Sequence, residues 1–253
     1  MKGISLFSGA MGLDLGMEKA GFKVSVCNEI EPSMVETIRT NSQIPVIGRD
    51  ISSVSTEELL RVGNLKKGEV DIVFGGPPCQ SFSTAGKRKA LGDDRGNVIL
   101  DFLRVVAESE PKCFLLENVR GLLYAKLEYV PDGFDNKQYQ SILGKKGGLI
   151  YFLYTEFSKL GYKISFALFN SANYGVPQKR ERILFFGTRG EKAITLPRPT
   201  HNEFGESKLK PWISIKDAFT GLDNQKNDFV EFREKHLKYL SKLDAGQYWR
   251  HLS

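Results

Sequence analysis

The stretch GISLFSGAMGLDLGMEKAGFKVSVCNE, residues 3–29, decides the fold class. The apolar run Gly3–Phe7 predicts a strand that enters a glycine-rich turn. Leu13–Ala20 predicts a helix ended by Gly21, and Lys23–Asn28 predicts a second strand. A strand, a helix and a strand in this order form a βαβ unit, whose two strands are parallel.

The alternation of strands and helices continues along the chain. Further helices are expected at Pro32–Asn41, Asn97–Glu108 and Tyr151–Leu160, and further strands at Pro45–Ile47, Val70–Phe74, Cys113–Leu116, Lys163–Asn170 and Arg182–Thr188. A polar connection joins the last two strands, which indicates an antiparallel pair. We therefore expect an α/β fold: a doubly wound, mostly parallel, Rossmann-like sheet with an antiparallel terminal hairpin.

Length and composition bound the organisation of the chain. Its 253 residues, 41% of them hydrophobic, are enough for one large domain with a small appendage. We expect residues 1–195 to form the main domain. Residues 196–253 contain Pro197, Pro199 and Pro211 and a charged helix at Phe229–Leu243, and they are expected to form an extension. The polar, glycine-rich stretch Lys126–Gly148 has the character of an insertion.

The charge and the cysteines exclude some classes of protein. A net charge of +6 fits a polyanionic partner, although many proteins without one are as basic. Three cysteines without a CxxC pair argue against a disulfide framework and against a zinc site, so no metal is expected. The free thiols indicate a reducing cytoplasm. Neither a signal peptide nor an apolar run of about 20 residues is found, so no membrane contact is expected.

Polar residues that could carry chemistry fall at expected strand ends, where sites gather in such sheets. They are Glu29, Asp50, Cys79 and Glu117. The turn at Phe7–Gly12 departs from the dinucleotide fingerprint GxGxxG, which counts against a nicotinamide oxidoreductase and leaves a plain tight turn possible. From the residues alone, Glu29 could equally be a solvated strand end and Asp50 a helix cap.

The segment Gly75-Gly-Pro-Pro-Cys-Gln80 is more specific. Two prolines before Cys79 fix the backbone and present the thiol on a rigid turn, which favours a reactive cysteine. Cys27 and Cys113 lie inside expected strands and are interpreted as core residues. Arg180 and Arg182, taken alone, could belong to an exposed, salt-bridged hairpin.

Four motifs together resemble the DNA cytosine-5 methyltransferase family. They are Ser5-Leu-Phe-Ser-Gly9 with Gly12, Gly76-Pro-Pro-Cys-Gln-Ser-Phe-Ser83, Glu117-Asn-Val119 and Gln178-Lys-Arg-Glu-Arg182. They stand in the family's order, and the resemblance extends from Ile4 to Trp249. A methionine at position 11 replaces a usual glycine, and Ile30 replaces a frequent aromatic residue.

The resemblance implies methyl transfer from S-adenosylmethionine to carbon 5 of a cytosine in duplex DNA. Cys79 would add to carbon 6, because carbon 5 is a poor nucleophile until the ring becomes an enamine. Glu117, protonated or sharing a proton, would hold the ring nitrogen and the exocyclic amine. Arg182 would contact the base carbonyl, and Arg180 would support the pocket. The cytosine must be flipped out of the duplex to be reached.

The resemblance also implies binding residues. Those expected at the cofactor are Phe7, Gly9, Gly12, Leu13, Glu29, Ile30, Asp50, Ile51 and Pro78. Residues 81–96 are expected to form the family's mobile loop over DNA, although they could be a solvated charged loop. DNA contacts are expected from Gln80, Ser83, Lys87, Arg88, Lys89 and Arg95.

Family members usually continue with a target recognition region and a last cofactor motif. Neither follows Gly246–Trp249 here, so we expect a split enzyme in which a second polypeptide supplies both; a truncated or degenerate chain is the alternative. A tRNA cytosine-5 methyltransferase and a non-catalytic regulatory partner of a complete methyltransferase stay open as functions. The resemblance places the protein in a prokaryotic cytoplasm, in association with the nucleoid.

Overall fold

A computed structural model describes residues 1–78, 98–221, 232–244, 247 and 251. The chain forms two compact units, Met1–Ile213 and Ser214–Ser253. In the first unit, the strands of the main sheet are β1 (Lys2–Leu6), β2 (Lys23–Asn28), β3 (Val46–Ile47), β4 (Ile72–Gly75), β5 (Cys113–Val119), β6 (Lys163–Asn170) and β7 (Glu181–Thr188). A small parallel pair adds β8 (His201–Asn202) and β9 (Lys210–Pro211).

The helices alternate with these strands. Those of the first unit are α1 (Gly12–Lys19), α2 (Pro32–Asn41), α3 (Thr56–Val62), α4 (Val98–Ser109), α5 (Asn136–Tyr139) and α6 (Gly148–Lys159). Short 3₁₀ helices lie at Ile51–Ser53, Arg120–Tyr124, Gln140–Ile142 and Ser171–Tyr174. The second unit contains α7 (Ile215–Ala218) and α8 (Glu234–Leu240) among its described residues.

The sheet has the order β3-β2-β1-β4-β5-β7-β6. Strands β1 to β5 are parallel, and β7 pairs antiparallel with both β5 and β6. The expected Rossmann-like sheet with an antiparallel terminal hairpin is confirmed. The carboxyl ends of β1, β2, β4 and β5 meet at one edge, and this edge carries Glu29 and Glu117.

Two apolar layers hold helices on opposite faces of the sheet. The larger layer joins the sheet to α3, α4 and α6 through an aromatic group that includes Phe102, Phe114, Phe157 and Tyr162. Each of these fully buried side chains contributes about 1.5–3 kcal/mol. The smaller layer packs α1 and α2 against the sheet around Cys27, Ile38 and Phe74.

The structure corrects three details of the expected elements. Strand β5 continues to Val119, so Glu117 lies inside the strand; its pairing with β7 prolongs the strand by three residues. The stretch 126–148 is folded against the core, with Leu127 and Tyr139 buried. The charged terminal helix is α8, shorter than expected within the described residues. None of the described helices is long and apolar enough to span a bilayer.

Candidate active site

The turn after β1 takes left-handed backbone conformations at three positions. Phe7 has φ 57°, Gly9 has φ 54° and Met11 has φ 66°. Met11 stands where the family usually has glycine, which reaches this region without steric cost. Its side chain is only 4% exposed and packs in the smaller apolar layer, which offsets the strain.

Glu29 holds this turn from the end of β2. Its Oε2 accepts a hydrogen bond from Gly9 N at 2.7 Å, and its Oε1 accepts from Ile30 N and Glu31 N at 2.8 Å each. A carboxylate has about four lone-pair sites. One site on Oε2 is therefore left for a further donor, such as a ribose hydroxyl, and Glu29 is more than the solvated strand end considered from the sequence.

Asp14, in the first turn of α1, is a buried residue that sequence reasoning missed. It is 0% exposed, and its Oδ2 has no hydrogen-bond partner among the described residues. Its Oδ1 lies 3.5 Å from Cys27 Sγ, while Ser5 and Ser8 join their hydroxyls nearby at 2.7 Å. Burial raises the pKa of the Asp14 carboxyl. A charged residue between Leu13 and Leu15 on a packed helix was the only signal in the sequence.

Close contacts, one with a backbone oxygen and one with a carboxylate oxygen, explain the two glycines before the Pro-Pro-Cys sequence. A Cβ on Gly75 would stand 2.2 Å from Leu6 O, and one on Gly76 would stand 2.9 Å from Glu117 Oε2. Asn118 Nδ2 donates to Pro77 O at 3.0 Å, which ties this turn to β5. The described chain reaches Pro78, which is exposed. Cys79 and the predicted DNA-contact residues Gln80, Ser83, Lys87, Arg88, Lys89 and Arg95 lie outside the described residues.

Glu117 and the two arginines of the last motif come together. Arg182 Nε lies 2.8 Å from Glu117 Oε1, and an Nη of Arg180 lies 3.7 Å from the same oxygen. Arg182 also donates to the carbonyl of Glu181 at 2.8 Å. Glu117 and Arg182 are each about one quarter exposed, so the pair faces an opening and does not belong to the core.

One cavity of about 800 Å³ joins these groups. Phe7, Gly12, Leu13 and Asp14 line it on the side of the turn, and Glu117, Arg180 and Arg182 line it on the other. Its size suits a small-molecule site. The turn and the Glu117–Arg182 pair therefore open into one space, although they lie more than 100 residues apart in sequence.

Other residues predicted at the cofactor lie outside the lining of this cavity. Asp50 Oδ1 accepts from Ser52 N and Ser52 Oγ at 2.9 Å each, which is the helix-capping role considered from the sequence. Ile51 is buried in the core, whereas Ile30 is 59% exposed and available to a ligand. Also outside the lining are Gly9, Glu29 and Pro78. The cofactor contacts of all the residues named from the sequence stay predictions.

Comparison with known proteins defines the class. The family model of C-5 cytosine-specific DNA methylases matches residues 1–245, and the chain belongs to this family. The type II methyltransferase M.AquIA of Picosynechococcus is 40% identical over 87% of this chain and 88% of that protein. M.FnuDI of Fusobacterium nucleatum is 34% identical over 95% of this chain, which spans 63% of that relative.

Solved structures agree on the fold. The crystal structure described as a DNA modification methyltransferase encoded within an E. coli prophage has a TM-score of 0.64 and 27% identity. The structural match covers 88% of the present chain and 56% of the prophage-encoded methyltransferase. A Spodoptera frugiperda DNMT2 variant, at 19% identity and a TM-score of 0.52, shares the fold over 78% of this chain.

S-adenosylmethionine is the cofactor of this class, and the described residues fit it. Helix α1 begins without a side-chain cap, so its first N–H groups are available to an anionic or polar ligand group. No Cβ would meet an atom within 4 Å at Gly9 or Gly12, so the backbone of the turn is open to close approach.

Proposed function

We propose that this chain transfers a methyl group from S-adenosylmethionine to carbon 5 of a flipped-out cytosine in duplex DNA. The observation that carries the proposal is the 2.8 Å pair of Glu117 and Arg182 on the same cavity as the turn after β1. One side of the cavity suits a cofactor, and the other presents a carboxyl and a guanidinium to a polar base edge.

The reaction needs a nucleophile, and the cysteines support Cys79 for this role. Burial raises the pKa of Cys27 to about 12 and that of Cys113 to about 11. Neither thiol is therefore a thiolate near neutral pH. Cys79 follows Pro78, at the end of a turn that Asn118 ties to the strand of Glu117.

The residues then have separate tasks. The Cys79 sulfur bonds to carbon 6 of the base, and Glu117 holds the ring nitrogen and exocyclic amine while charge develops on the ring. Arg182 binds the base carbonyl and is itself oriented by Glu117. S-adenosylmethionine supplies the methyl group to carbon 5. A base then takes the carbon-5 proton, and the bond to Cys79 breaks.

We further propose that a second polypeptide supplies target recognition. Strand β6 is the outer strand of the sheet, and its Phe166 and Leu168 are each 37% exposed. No described strand pairs with the outer edge of β6, and apolar exposure next to such an edge is suited to protein contact. The match covers 88% of the length of M.AquIA, so this type II methyltransferase chain is similar in length to the present one. The protein would act in a bacterial cytoplasm, on nucleoid DNA, within a restriction–modification system.

A covalent trap tests the proposal. The purified chain is mixed with S-adenosylmethionine and duplex DNA carrying 5-fluorocytosine, with and without the candidate second polypeptide. Fluorine blocks the final elimination, so mass spectrometry should find an adduct at Cys79. An adduct only with the second polypeptide supports both proposals, and an adduct with the chain alone removes the need for a partner.

Two further mixtures complete the test. A Cys79→Ser variant should form no adduct in the presence of the same partner. If neither mixture gives an adduct on the duplex, but the same test gives one on tRNA, the substrate is RNA and the proposed DNA substrate is wrong. No adduct on either nucleic acid would leave a regulatory, non-catalytic chain.

A further inference from the structure

The segment between β5 and α6 begins and ends at the edge of the sheet that carries Glu117. The 3₁₀ helix Arg120–Tyr124 follows β5 directly, at its carboxyl end. Strand β6 is parallel to β5, because each is antiparallel to β7. Helix α6 must therefore return the chain from that edge to the opposite one. The two ends of the segment, residues 120–127 and 143–147, meet beside the start of α6 at the edge of the candidate active site, whereas Phe134 and Tyr139 pack along α6.

This segment carries a cluster of three lysines: Lys126, Lys145 and Lys146. Lys126 and Lys146 face each other in an isolated antiparallel bridge. The backbone around them is fixed, since Gly144 N donates to Leu127 O at 2.9 Å and Leu149 N donates to Ala125 O at 3.3 Å. All three side chains are exposed, and no described carboxylate forms an ion pair with any of them.

The placement of these charges is unfavourable for the isolated chain. Like charges directly opposite each other on paired strands destabilise the pairing. Helix α6 begins at the same place with Gly147 in a left-handed conformation, without a side-chain cap and without an acidic residue in its first turn. Its positive end adds to the field of the three lysines. The described residues 120–147 also contain Glu128, Asp132 and Asp135, which offset only part of this charge. The segment is therefore net positive, which suits an anionic partner.

We propose that the lysine cluster binds backbone phosphates of the duplex that flanks the target cytosine. This inference rests on the proposed DNA substrate. Lys126 is the ninth residue after Glu117, so the two lie within about 31 Å of each other even if that chain were fully extended. A turn of duplex DNA is about 34–36 Å long. A duplex that delivers a base to Glu117 can therefore reach the cluster within about one turn.

The triple variant Lys126→Gln, Lys145→Gln, Lys146→Gln tests the contact. Binding of a fluorescent duplex of about 30 base pairs is followed by anisotropy as the salt concentration is raised. Each lost phosphate contact should lower the slope of log K against log salt by about 0.9, so a fall of about 2–3 is expected. At about 0.1 M salt, the affinity should fall at least about tenfold.

The chain offers a matched control. Lys19, Lys23 and Lys163 are exposed lysines at the end of α1 and at the starts of β2 and β6, on the opposite edge of the sheet. Replacing these three with glutamine changes the net charge equally and should leave the salt slope unchanged. The melting temperature of the lysine-cluster variant should not fall, because the replacement removes a repulsion; a loss of binding then reports the contact itself.

Several outcomes overturn the inference. An unchanged slope in the lysine-cluster variant does so, as does an equal loss in the control variant, or a wild-type chain whose binding to the duplex is insensitive to salt. A loss of affinity for tRNA without a loss for the duplex points to RNA and also overturns it. If the wild-type chain transfers no methyl group with or without the second polypeptide, but the cluster variant lowers the slope, the proposed function fails and the lysine contact stands.

Discussion

Arg182 Nε lies 2.8 Å from Glu117 Oε1 across the β5–β7 pairing, so two residues from separate motifs form one ion pair. Glu117 pairs with Leu184 and Val119 with Arg182 in the strand register. The two charged side chains are diagonal neighbours on one face of the sheet. The fold therefore positions the guanidinium before any substrate is bound.

The first prediction concerns the geometry of this pair. Arg182→Lys keeps the positive charge but loses the planar fork that can hold Glu117 and a base carbonyl together. We expect methyl transfer to fall at least about 10²-fold, as for the loss of one preorganised donor. Binding of S-adenosylhomocysteine, measured by calorimetry, should be unchanged.

Arg189→Lys is the matched control, since Arg189 lies just beyond the other end of β7 and faces Glu110 at 3.8 Å. It should retain wild-type methyl transfer. Equal rates for Arg182→Lys and the wild type would show that the fork has no part in the reaction.

The second prediction concerns Glu29. Glu29→Gln keeps the shape of the side chain but turns one acceptor oxygen into a donor, so at least one of the N–H groups at Gly9, Ile30 and Glu31 loses its partner. We expect a loss of about 1–3 kcal/mol in the free energy of unfolding. Affinity for S-adenosylhomocysteine should fall as well, because the turn loses its anchor.

Denaturant titration and calorimetry measure the two effects. Glu31→Gln is the control, because Glu31 is exposed and, among the described residues, its carboxylate contacts only Ser33 Oγ, at 3.3 Å. If Glu29→Gln binds S-adenosylhomocysteine as tightly as the wild type, the anchored turn does not contribute to cofactor binding.

The third prediction separates strain from packing at Met11. Met11→Ala and Met11→Gly both remove a buried side chain, which costs about 2–5 kcal/mol. Only glycine also relieves the left-handed conformation at φ 66°, which costs an L-residue about 1–2 kcal/mol.

Met11→Gly should therefore be less destabilised than Met11→Ala by about 1 kcal/mol, although both unfold more readily than the wild type. Urea unfolding of the three proteins measures the difference. If alanine is the more stable of the two variants, the turn is not held in a left-handed conformation in solution.

The fourth prediction concerns pH. Burial holds the pKa of Asp14 above its ordinary value, so the folded protein binds a proton that the unfolded chain has released. Stability from this group is complete below the ordinary pKa near 3.8 and declines as pH rises toward the pKa of the folded state. Acid should therefore favour folding at this one position.

Asp14→Asn is neutral at every pH and isolates the effect. The melting temperature of Asp14→Asn relative to the wild type should rise as pH is increased from about 4 to 8, in line with the proton linkage. A difference that stays constant over this range would mean that the carboxyl has the same pKa in the folded and unfolded protein.

Much of the fold was readable from the sequence because local patterns dominate it. Lys23–Asn28, Pro32–Asn41 and Lys163–Asn170 begin and end as expected, at residues that stop or start regular structure. The expected strands also placed Glu29, Glu117 and Arg182 near strand ends. The register of β7 on β5, which lengthens β5 past Glu117, depends on a contact between distant segments and has no local pattern.

Other features of the site come from packing that the sequence does not display. Asp14 is buried because Cys27 and the Ser5–Ser8 pair surround it in three dimensions. The tolerance of Met11 in a left-handed turn depends on a space in the smaller apolar layer. The lysine cluster arises only when the chain brings Lys126 opposite Lys146.

The antiparallel pairing of β5 with β7 places Arg182 beside Glu117, so the activity of a molecule depends on the register in which these two strands have paired. Side chains alternate between the faces of a sheet, so a slip of one residue would send Arg182 to the face opposite Glu117. A slipped chain would retain a sheet and most of its buried area, yet have no arginine beside Glu117. Molecules misfolded in this way would not methylate DNA at all, either at wrong sites or at a reduced rate.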